Sequence, residues 1–113
     1  MSGQYASGLE GERLAEAHLQ SLGFKVIARR TRSRHGEIDL IASKGKLLYF
    51  VEVKYRPEGR LGCGLLSITA EKRRRLMDAA REYLKGDPRP WRLAYLEITR
   101  AGILFREDIA HEQ

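Results

Sequence analysis

The chain has few of the residues that hold small secreted or metal-bound proteins together. Cys63 is its only cysteine, so no disulfide can form within the chain, and a reducing compartment is expected. One cysteine and three histidines are too few soft ligands for a structural zinc site. These shortages exclude disulfide-stapled scaffolds and zinc fingers.

Long apolar runs are also missing. The longest is 47–51, far shorter than the ~20 residues of a membrane-spanning helix. Residues 1–8 have no apolar core of the kind that a secretory signal needs. We therefore expect a cytoplasmic protein with no membrane partner.

The chain does contain enough apolar sequence for one core, together with an excess of positive charge. Its 113 residues are 42% hydrophobic and 32% charged, which predicts a single domain over 1–113, with residues 1–7 as a flexible N-terminal tail. Twenty-one lysines and arginines oppose fifteen acidic residues, leaving a net charge of +6. A domain this basic most often binds a polyanion, and nucleic acid is the first candidate. A soluble protein whose surface is merely basic is the alternative.

The hydrophobic pattern predicts an α/β fold. A first helix is expected from residue 7 or 8 to residue 22, before Gly23, and a second from the N-cap Thr69 to Lys85. The other predicted segments are strand 24–28, an arginine-rich loop 29–36, strands 37–42 and 47–54, a glycine-rich loop 57–64, and strands 91–99 and 103–105. The expected buried positions of the helices are Ala15, Leu19 and Leu22, and then Leu76, Ala80, Tyr83 and Leu84. The order α-β-β-β-α-β-β describes one mixed sheet flanked by helices.

Three charged residues interrupt the apolar strands. Asp39 lies between Ile38 and Leu40, and Glu52 and Lys54 alternate with valines. Charges in a strand that enters a core cost several kcal/mol unless they are compensated, and such violations are typical of functional sites. Because side chains two residues apart share a face of a strand, Glu52 and Lys54 point the same way. The alternative is an ordinary charge ladder on an edge strand that faces water.

The hairpin between these strands sets the position of Asp39. A two-residue Lys44-Gly45 turn puts Asp39 opposite Phe50, with Glu52 as a diagonal neighbour at roughly 7–8 Å. A bulge of two residues on the second strand shifts the register by two and puts Asp39 directly opposite Glu52, at about 5 Å. In both registers the three charged side chains project from one face, whereas a shift by one residue would scatter them.

Two carboxylates held so close together repel, so we expect a positive charge between them. A hard divalent cation suits the pair, because Mg²⁺ binds through one or two carboxylates, water and phosphate oxygens, and Mn²⁺ is a substitute. Lys54 would orient or help to deprotonate an attacking water, or stabilise negative charge on a phosphoryl group. Glu12, at the edge of the first helix's apolar stripe, is a candidate further ligand. The alternative for Glu12 is a solvated first-turn carboxylate that the helix dipole favours.

The pattern of Asp39 followed by Glu52-Val53-Lys54 resembles the metal-binding core of the PD-(D/E)xK nuclease superfamily, which includes archaeal Holliday junction resolvases. The flanking sequences are more specific, and over residues 8–98 they resemble the YraN family of small bacterial proteins. These sequences are GERLA at 11–15, GEIDLIA at 36–42 and FVEVKYR at 50–56, followed by Ser67-Ile68-Thr69, Lys72 and Arg75-Leu76.

The resemblance implies a restriction-endonuclease-like fold, with Glu12, Asp39, Glu52 and Lys54 as the catalytic cluster. Ala94 stands where the family tends to have an acidic residue, which argues against a role for the 91–99 strand at the site. The four core residues match the family's pattern.

Clustered basic residues indicate where a nucleic acid would lie, since phosphate contacts by lysine and arginine supply most of the affinity of such proteins. The candidates are Arg29, Arg30, Arg32 and Arg34 before the strand that carries Asp39, Arg56 beyond Lys54, and Lys72, Arg73, Arg74 and Arg75 at the start of the second helix. No helix-turn-helix signature and no aromatic platform for single strands is evident.

The first hypothesis is a metal-dependent nuclease that acts on DNA, including structured or branched DNA. The second is a nucleic-acid-binding module that has the same fold but no chemistry, because a fold does not establish activity. The third is a subunit whose basic face docks an acidic protein. For a junction-cutting enzyme, a homodimer would provide two symmetric incisions.

Overall fold

A single five-stranded sheet with one helix on each face makes up the computed structural model, which describes residues 3–110. The elements are α1 (Gly3–Ser21), β1 (Lys25–Ser33), β2 (Gly36–Lys44), β3 (Leu47–Arg56), a short 3₁₀ turn (Leu65–Ser67), α2 (Ala70–Leu84), β4 (Trp91–Thr99) and β5 (Gly102–Arg106). The predicted α/β class and the order α-β-β-β-α-β-β are confirmed.

The strands lie in the sheet in their chain order, β1-β2-β3-β4-β5. Neighbours pair antiparallel except β3 and β4, which are parallel and are joined through α2. A parallel pair needs a long crossover connection, and the helix supplies it. The sheet is therefore mixed, as predicted.

The two helices cover opposite faces of the sheet, because successive strand residues point to opposite sides. α1 buries Ala15 and Leu19 against the face that carries Tyr49 and Val51. The core on the other face joins α2 to the sheet through Leu76, Ala79, Ala80, Ile41, Leu48, Phe50, Leu93 and Tyr95. Of the residues described, no helix is both long and apolar enough to cross a membrane.

The first helix differs from its prediction at both ends. It begins at Gly3, so residues 3–7, expected to be a tail, continue the helix, and residues 1 and 2 lie outside the described part. No proline interrupts this stretch, and its alanine and glutamine are compatible with a helix. At the other end α1 stops at Ser21, and Leu22, predicted to be buried, is 40% exposed because it has left the helix.

The predicted arginine-rich loop is wrong over most of its length. β1 continues to Ser33, which pairs with Gly36, and only Arg34 and His35 form a turn. β1 is an edge strand, and charged side chains are tolerated on an edge because they point to solvent or to the rim of the sheet.

The second helix is predicted well because both of its ends carry local signals. Thr69 accepts a hydrogen bond from the Lys72 amide at 3.1 Å, and Lys85 closes the helix in a left-handed conformation with φ of 41°. Among its predicted buried residues, Tyr83 is an exception at 39% exposure. Its ring contacts Phe50 edge-on at 5.8 Å while the remainder faces solvent, and Ala79 takes the buried position.

The hairpin of β2 and β3 has the second of the two predicted registers, but it reaches that register through a different two-residue turn and without the predicted bulge. Lys44 pairs with Leu47 and Leu40 with Val51, so the two turn residues are Gly45 and Lys46. Gly45 has φ of 61° at the first turn position, where a two-residue hairpin favours glycine. This register brings Asp39 to the level of Glu52.

Candidate functional site

The site lies where β2 and β3 stop pairing. Counted from the hairpin turn, their regular pairing ends with Leu40 and Val51, so Asp39 and Glu52 are the first residues beyond it. Beyond this point the Val53 amide donates a hydrogen bond to Asp39 Oδ2 at 2.8 Å. The carboxylate of Asp39 therefore replaces a backbone partner at the opening between the strands, which fixes its position.

A cleft of about 250 Å³ opens at this point, under the side of the sheet that α2 covers. Its lining includes the acids Asp39, Glu52 and Glu37 and the basic residues Lys72 and Arg75, together with His35. Two strands, a helix and the β1–β2 turn contribute these groups. The cleft therefore offers carboxylates to a cation and positively charged side chains to an anion such as a phosphate.

Glu52 is the most enclosed of the predicted site residues, with 8% of its surface exposed. Two amines face its Oε2 atom: Lys72 Nζ at 2.8 Å and Lys54 Nζ at 3.9 Å. Lys54 follows Glu52 by two residues, so both side chains leave the same face of β3, as predicted. The structure thus brings Asp39, Glu52 and Lys54 together and adds Lys72, which the sequence analysis assigned only to nucleic-acid contact.

The negative charge of Asp39 is only partly balanced by its surroundings. Burial raises the pKa of Asp39 from its ordinary 3.8 to about 7, and the negative charge of Glu52 adds to the rise. The Val53 amide acts in the opposite direction, while the charges of Glu12 and Glu37 raise the pKa further. A positive charge in the cleft would offset this cost.

Burial lowers the pKa of Lys54, and the positive charge of Lys72 lowers it further. The charge of Glu52 opposes this shift. Lys54 therefore gives up its proton more readily than an exposed lysine does.

Glu12 lies in a different cleft, on the side of the sheet that α1 covers. Its Oε1 accepts a hydrogen bond from Arg30 Nε at 2.8 Å, and the surrounding cleft also contains Leu9 and Leu40. Its charge reaches Asp39, but its carboxylate is held by Arg30. The cluster of four predicted residues is therefore divided between the two faces.

Gly11, beside Glu12, lets α1 approach β3 closely. It is buried, and a methyl group at this position would lie 2.5 Å from Tyr55 Cβ. Carbon atoms in contact are about 3.5–4.0 Å apart, so any other residue here would move the helix. The GERLA sequence thus fixes the height at which Glu12 stands above the sheet.

The basic residues predicted to bind nucleic acid fall into three groups. Arg29 and Arg30 both face α1, where they pair with Glu16 and Glu12, because Arg30 has φ of 49° and breaks the alternation of the strand. Arg32, Arg34, Arg56 and Arg74 are exposed, and Arg34 Nε lies 3.6 Å from Glu82. The third group lies at the start of α2. Lys72 and Arg75 line the cleft, whereas Arg73 donates from Nη1 to the Ile68 carbonyl at 3.1 Å.

One buried acid, Glu97, was not predicted from the sequence as a site residue. It is fully buried on β4, level with Lys54 on the parallel strand β3. The Tyr95 hydroxyl donates to its Oε1 at 2.6 Å, the Gly64 amide donates to the same atom at 2.9 Å, and the Gly62 amide donates to Oε2. Burial alone would raise the pKa of Glu97, but these hydrogen bonds outweigh burial and lower it.

The consequence of these bonds is a clamp that holds the glycine-rich loop against the sheet next to Lys54. A methyl group on Gly64 would overlap the Tyr95 hydroxyl and lie 3.5 Å from Lys54 Cγ. Ala94 argues against a role for β4 at the site, and Glu97 is not among the residues that line the cleft; it neighbours Lys54 only across the pairing of β3 and β4. A charge inside the apolar LAYLEIT run was the available signal, of the kind that identified Glu52.

Protein carboxylates alone do not make a complete metal site within residues 3–110, where no three His, Cys, Asp or Glu side chains are grouped closely enough to hold an ion. Asp39 and Glu52 remain suitable for a cation that draws its other ligands from water and phosphate. Mg²⁺ is commonly held in this way.

Comparison with known proteins gives the chain a family. A UPF0102 protein of Dechloromonas aromatica is 49% identical over 83 residues, which are 74% of this chain and 69% of the relative. A UPF0102 protein of Mycolicibacterium vanbaalenii is 38% identical over 96 residues, covering 85% and 79%. The family sequence model described as "Uncharacterised protein family UPF0102" matches residues 11–110. The YraN-type family predicted from the sequence is confirmed, and the chain belongs to the UPF0102 family.

Proposed function

We propose that this protein is a divalent-cation-dependent nuclease of the PD-(D/E)xK type, with a restriction-endonuclease-like fold, and that it hydrolyses phosphodiester bonds in DNA. The observation that carries the proposal is the meeting of Asp39, Glu52 and Lys54 at the opening between β2 and β3. The raised pKa of Asp39 supports it, because two acids share a site whose negative charge is incompletely balanced.

In this proposal Asp39 and Glu52 hold the cation, Mg²⁺ or Mn²⁺. When bound, the cation lowers the pKa of a coordinated water and stabilises negative charge on the phosphoryl group. Glu12 is left out of the ligand set because Arg30 holds its carboxylate in another cleft. It acts through its charge, which raises the affinity of Asp39 for any positive partner.

Lys54 orients the attacking water and takes up its proton, or stabilises charge on the phosphate. Its lowered pKa and its position 3.9 Å from Glu52 Oε2 suit both roles. The exposed arginines, with Lys72 and Arg75 of the cleft, would bind the phosphates at and beside the scissile bond. A homodimer would let two such sites cut a branched substrate symmetrically.

The proposal is tested with linear, single-stranded, flapped and four-way DNA in Mg²⁺ or Mn²⁺. Asp39→Asn and Lys54→Met should each reduce cleavage by at least about a hundredfold while DNA binding persists. Glu58→Gln is the matched control, because Glu58 pairs with Arg100 on the exposed surface. Cleavage that continues unchanged in both site variants would refute the assignment of the site.

One observation favours a second candidate, a nucleic-acid-binding module without chemistry. Lys72 already neutralises Glu52 at 2.8 Å, so the acidic pair is partly balanced without a cation. This candidate predicts salt-dependent DNA binding with no cleavage under either metal ion. It also predicts that Mn²⁺ leaves the melting temperature unchanged, whereas a cation at a hundred times its Kd would add about 2.7 kcal/mol of stability.

A further inference from the structure

Lys72 differs from the other members of the basic run that begins α2. Its amide is fixed by the Thr69 cap, and its side chain extends toward the sheet to place Nζ 2.8 Å from Glu52 Oε2. The side chains of Lys72 and Glu52 are 26% and 10% exposed. Arg74, two residues along the helix, is exposed to solvent.

Glu52 therefore has an amine from another element as its nearer partner. Lys54, on its own strand, is more distant at 3.9 Å. An ammonium and a divalent cation compete for the same carboxylate, since both are positive and repel at short range. Lysine is the residue suited to give way, because its charge lies at the end of a flexible four-carbon stem.

The cleft also offers Lys72 a second partner. Lys72 and Arg75 line it together with the acids Asp39 and Glu52. A phosphate bound in the cleft beside Arg75 would be within the reach of Lys72 once Lys72 no longer contacts Glu52. The same amine can thus serve an acid in the free protein and a substrate oxygen in the complex.

We propose that Lys72 is an exchangeable counter-charge of the active site, which neutralises Glu52 in the cation-free protein and moves to a phosphate oxygen of the nucleic acid when a divalent cation binds Glu52. This inference rests on the proposed nuclease function. It assigns Lys72 to the reacting phosphate rather than to the flanking backbone.

The first test measures cation binding without nucleic acid or turnover. Calorimetric titration with Ca²⁺ or Mn²⁺ should show about tenfold tighter binding to Lys72→Met than to the wild type, because the competing ammonium is gone. Lys72→Arg keeps the charge and should bind the ions with nearly wild-type affinity. Arg74→Met, an exposed cation removed from the same helix, should leave the affinity unchanged.

The second test measures cleavage. Lys72→Met should lower kcat by at least tenfold, whereas Arg74→Met should act on KM and reduce the salt dependence of DNA binding. Circular dichroism and melting curves establish that both variants are folded. Wild-type affinity for Ca²⁺ or Mn²⁺ in a folded Lys72→Met overturns the exchange.

The two proposals fail differently. If the wild type cleaves DNA and Lys72→Met has the cation affinity and kcat of the wild type, only the exchange is wrong. If the wild type neither binds a divalent cation nor cleaves DNA, the nuclease function fails and the exchange fails with it.

Discussion

Acids lie at two places on the α2 side of the sheet, Glu97 alone at one and Asp39 with Glu52 at the other, and their partners differ in kind. Glu97 receives hydrogen bonds from a hydroxyl and from backbone amides of the glycine-rich loop, all within the chain. Asp39 has the Val53 amide, and beside it stands a second acid, Glu52. As a result the pKa of Glu97 is lowered and that of Asp39 is raised.

The difference shows how one fold uses the same chemical group for stability and for function. Fixed dipoles that point at an acid hold it ionised and make it part of the architecture. An acid placed beside another acid costs folding free energy, which a bound cation can recover. The following predictions separate these two uses.

The largest expected effect is on Glu97. Glu97→Gln replaces one acceptor oxygen by an NH₂ group that faces the donors of the clamp, and should lower the free energy of unfolding by about 3 kcal/mol. Urea denaturation measures this. Because the folded pKa of Glu97 is below its ordinary 4.5, the stabilisation is present above about pH 4.5 and is lost as the pH falls further. If the difference in unfolding free energy between the wild type and Glu97→Gln does not shrink below about pH 4.5, the Glu97 carboxylate does not stabilise the loop through its charge.

Gly64→Ala should have the next largest effect, about 2 kcal/mol of destabilisation, because the added methyl group overlaps the Tyr95 hydroxyl. Gly8→Ala is the control. No heavy atom outside its own helical turn lies within 4 Å of the added methyl group, so this change should stabilise α1 by roughly 0.5–1 kcal/mol. The melting temperatures of the two variants are compared. Equal changes in melting temperature would contradict the predicted steric clash at Gly64.

Asp39→Asn should act in the opposite direction and stabilise the protein by about 1–2 kcal/mol above pH 7 in the presence of a chelator. The pKa of Asp39 is about 7 when folded against 3.8 ordinarily, so the folded state binds the proton more tightly. The free energy of unfolding of the wild type therefore falls as the pH rises from about 4 to 7, and the loss caused by Asp39 is complete above pH 7. The extra stability of Asp39→Asn over the wild type should vanish near pH 4. A gain of equal size at pH 4 and pH 8 would refute this origin.

The smallest effect is expected for Glu12→Gln. Its partly exposed ion pair with Arg30 should contribute about 0.5–1 kcal/mol. Because the charge of Glu12 raises the pKa of Asp39, the variant should also lower that pKa. Carbon-detected NMR titration of the Asp39 carboxyl measures this change, and Glu10→Gln on the same helix is the control. An unchanged titration would mean that the two clefts are electrically separate.

The parts of the fold that could be predicted have local causes. The ends of α2 follow from Thr69 and from the glycine after Lys85, and the alternation of β3 follows from apolar residues that must face α1 or α2. Asp39, Glu52 and Lys54 were identified because each breaks such a local pattern. The choice between two registers, however, depended on the position of the turn. Gly45 and Lys46 form it instead of Lys44 and Gly45, which gives the second register without the predicted bulge.

The parts that could not be predicted depend on contacts between distant segments. Arg29 reads as a loop residue in isolation, but in the edge strand it pairs with Glu16 across thirteen positions. Glu97 joins Lys54 only because β3 and β4 are parallel, which places a residue 43 positions later at the same level. Lys72 likewise reads as one of four consecutive cations until α2 is docked on the sheet.

The absent side chain at Gly11 gives α1 a role beyond packing. Because α1 packs directly on Tyr55, the distance between the helix and the sheet is set by a residue with no reactive group. A bulkier residue would push α1 away from the sheet and move the Glu12 carboxylate away from Asp39, although no ionisable group would change. The effect of Glu12 on the pKa of Asp39 therefore depends on the spacing of helix and sheet as well as on the charges themselves.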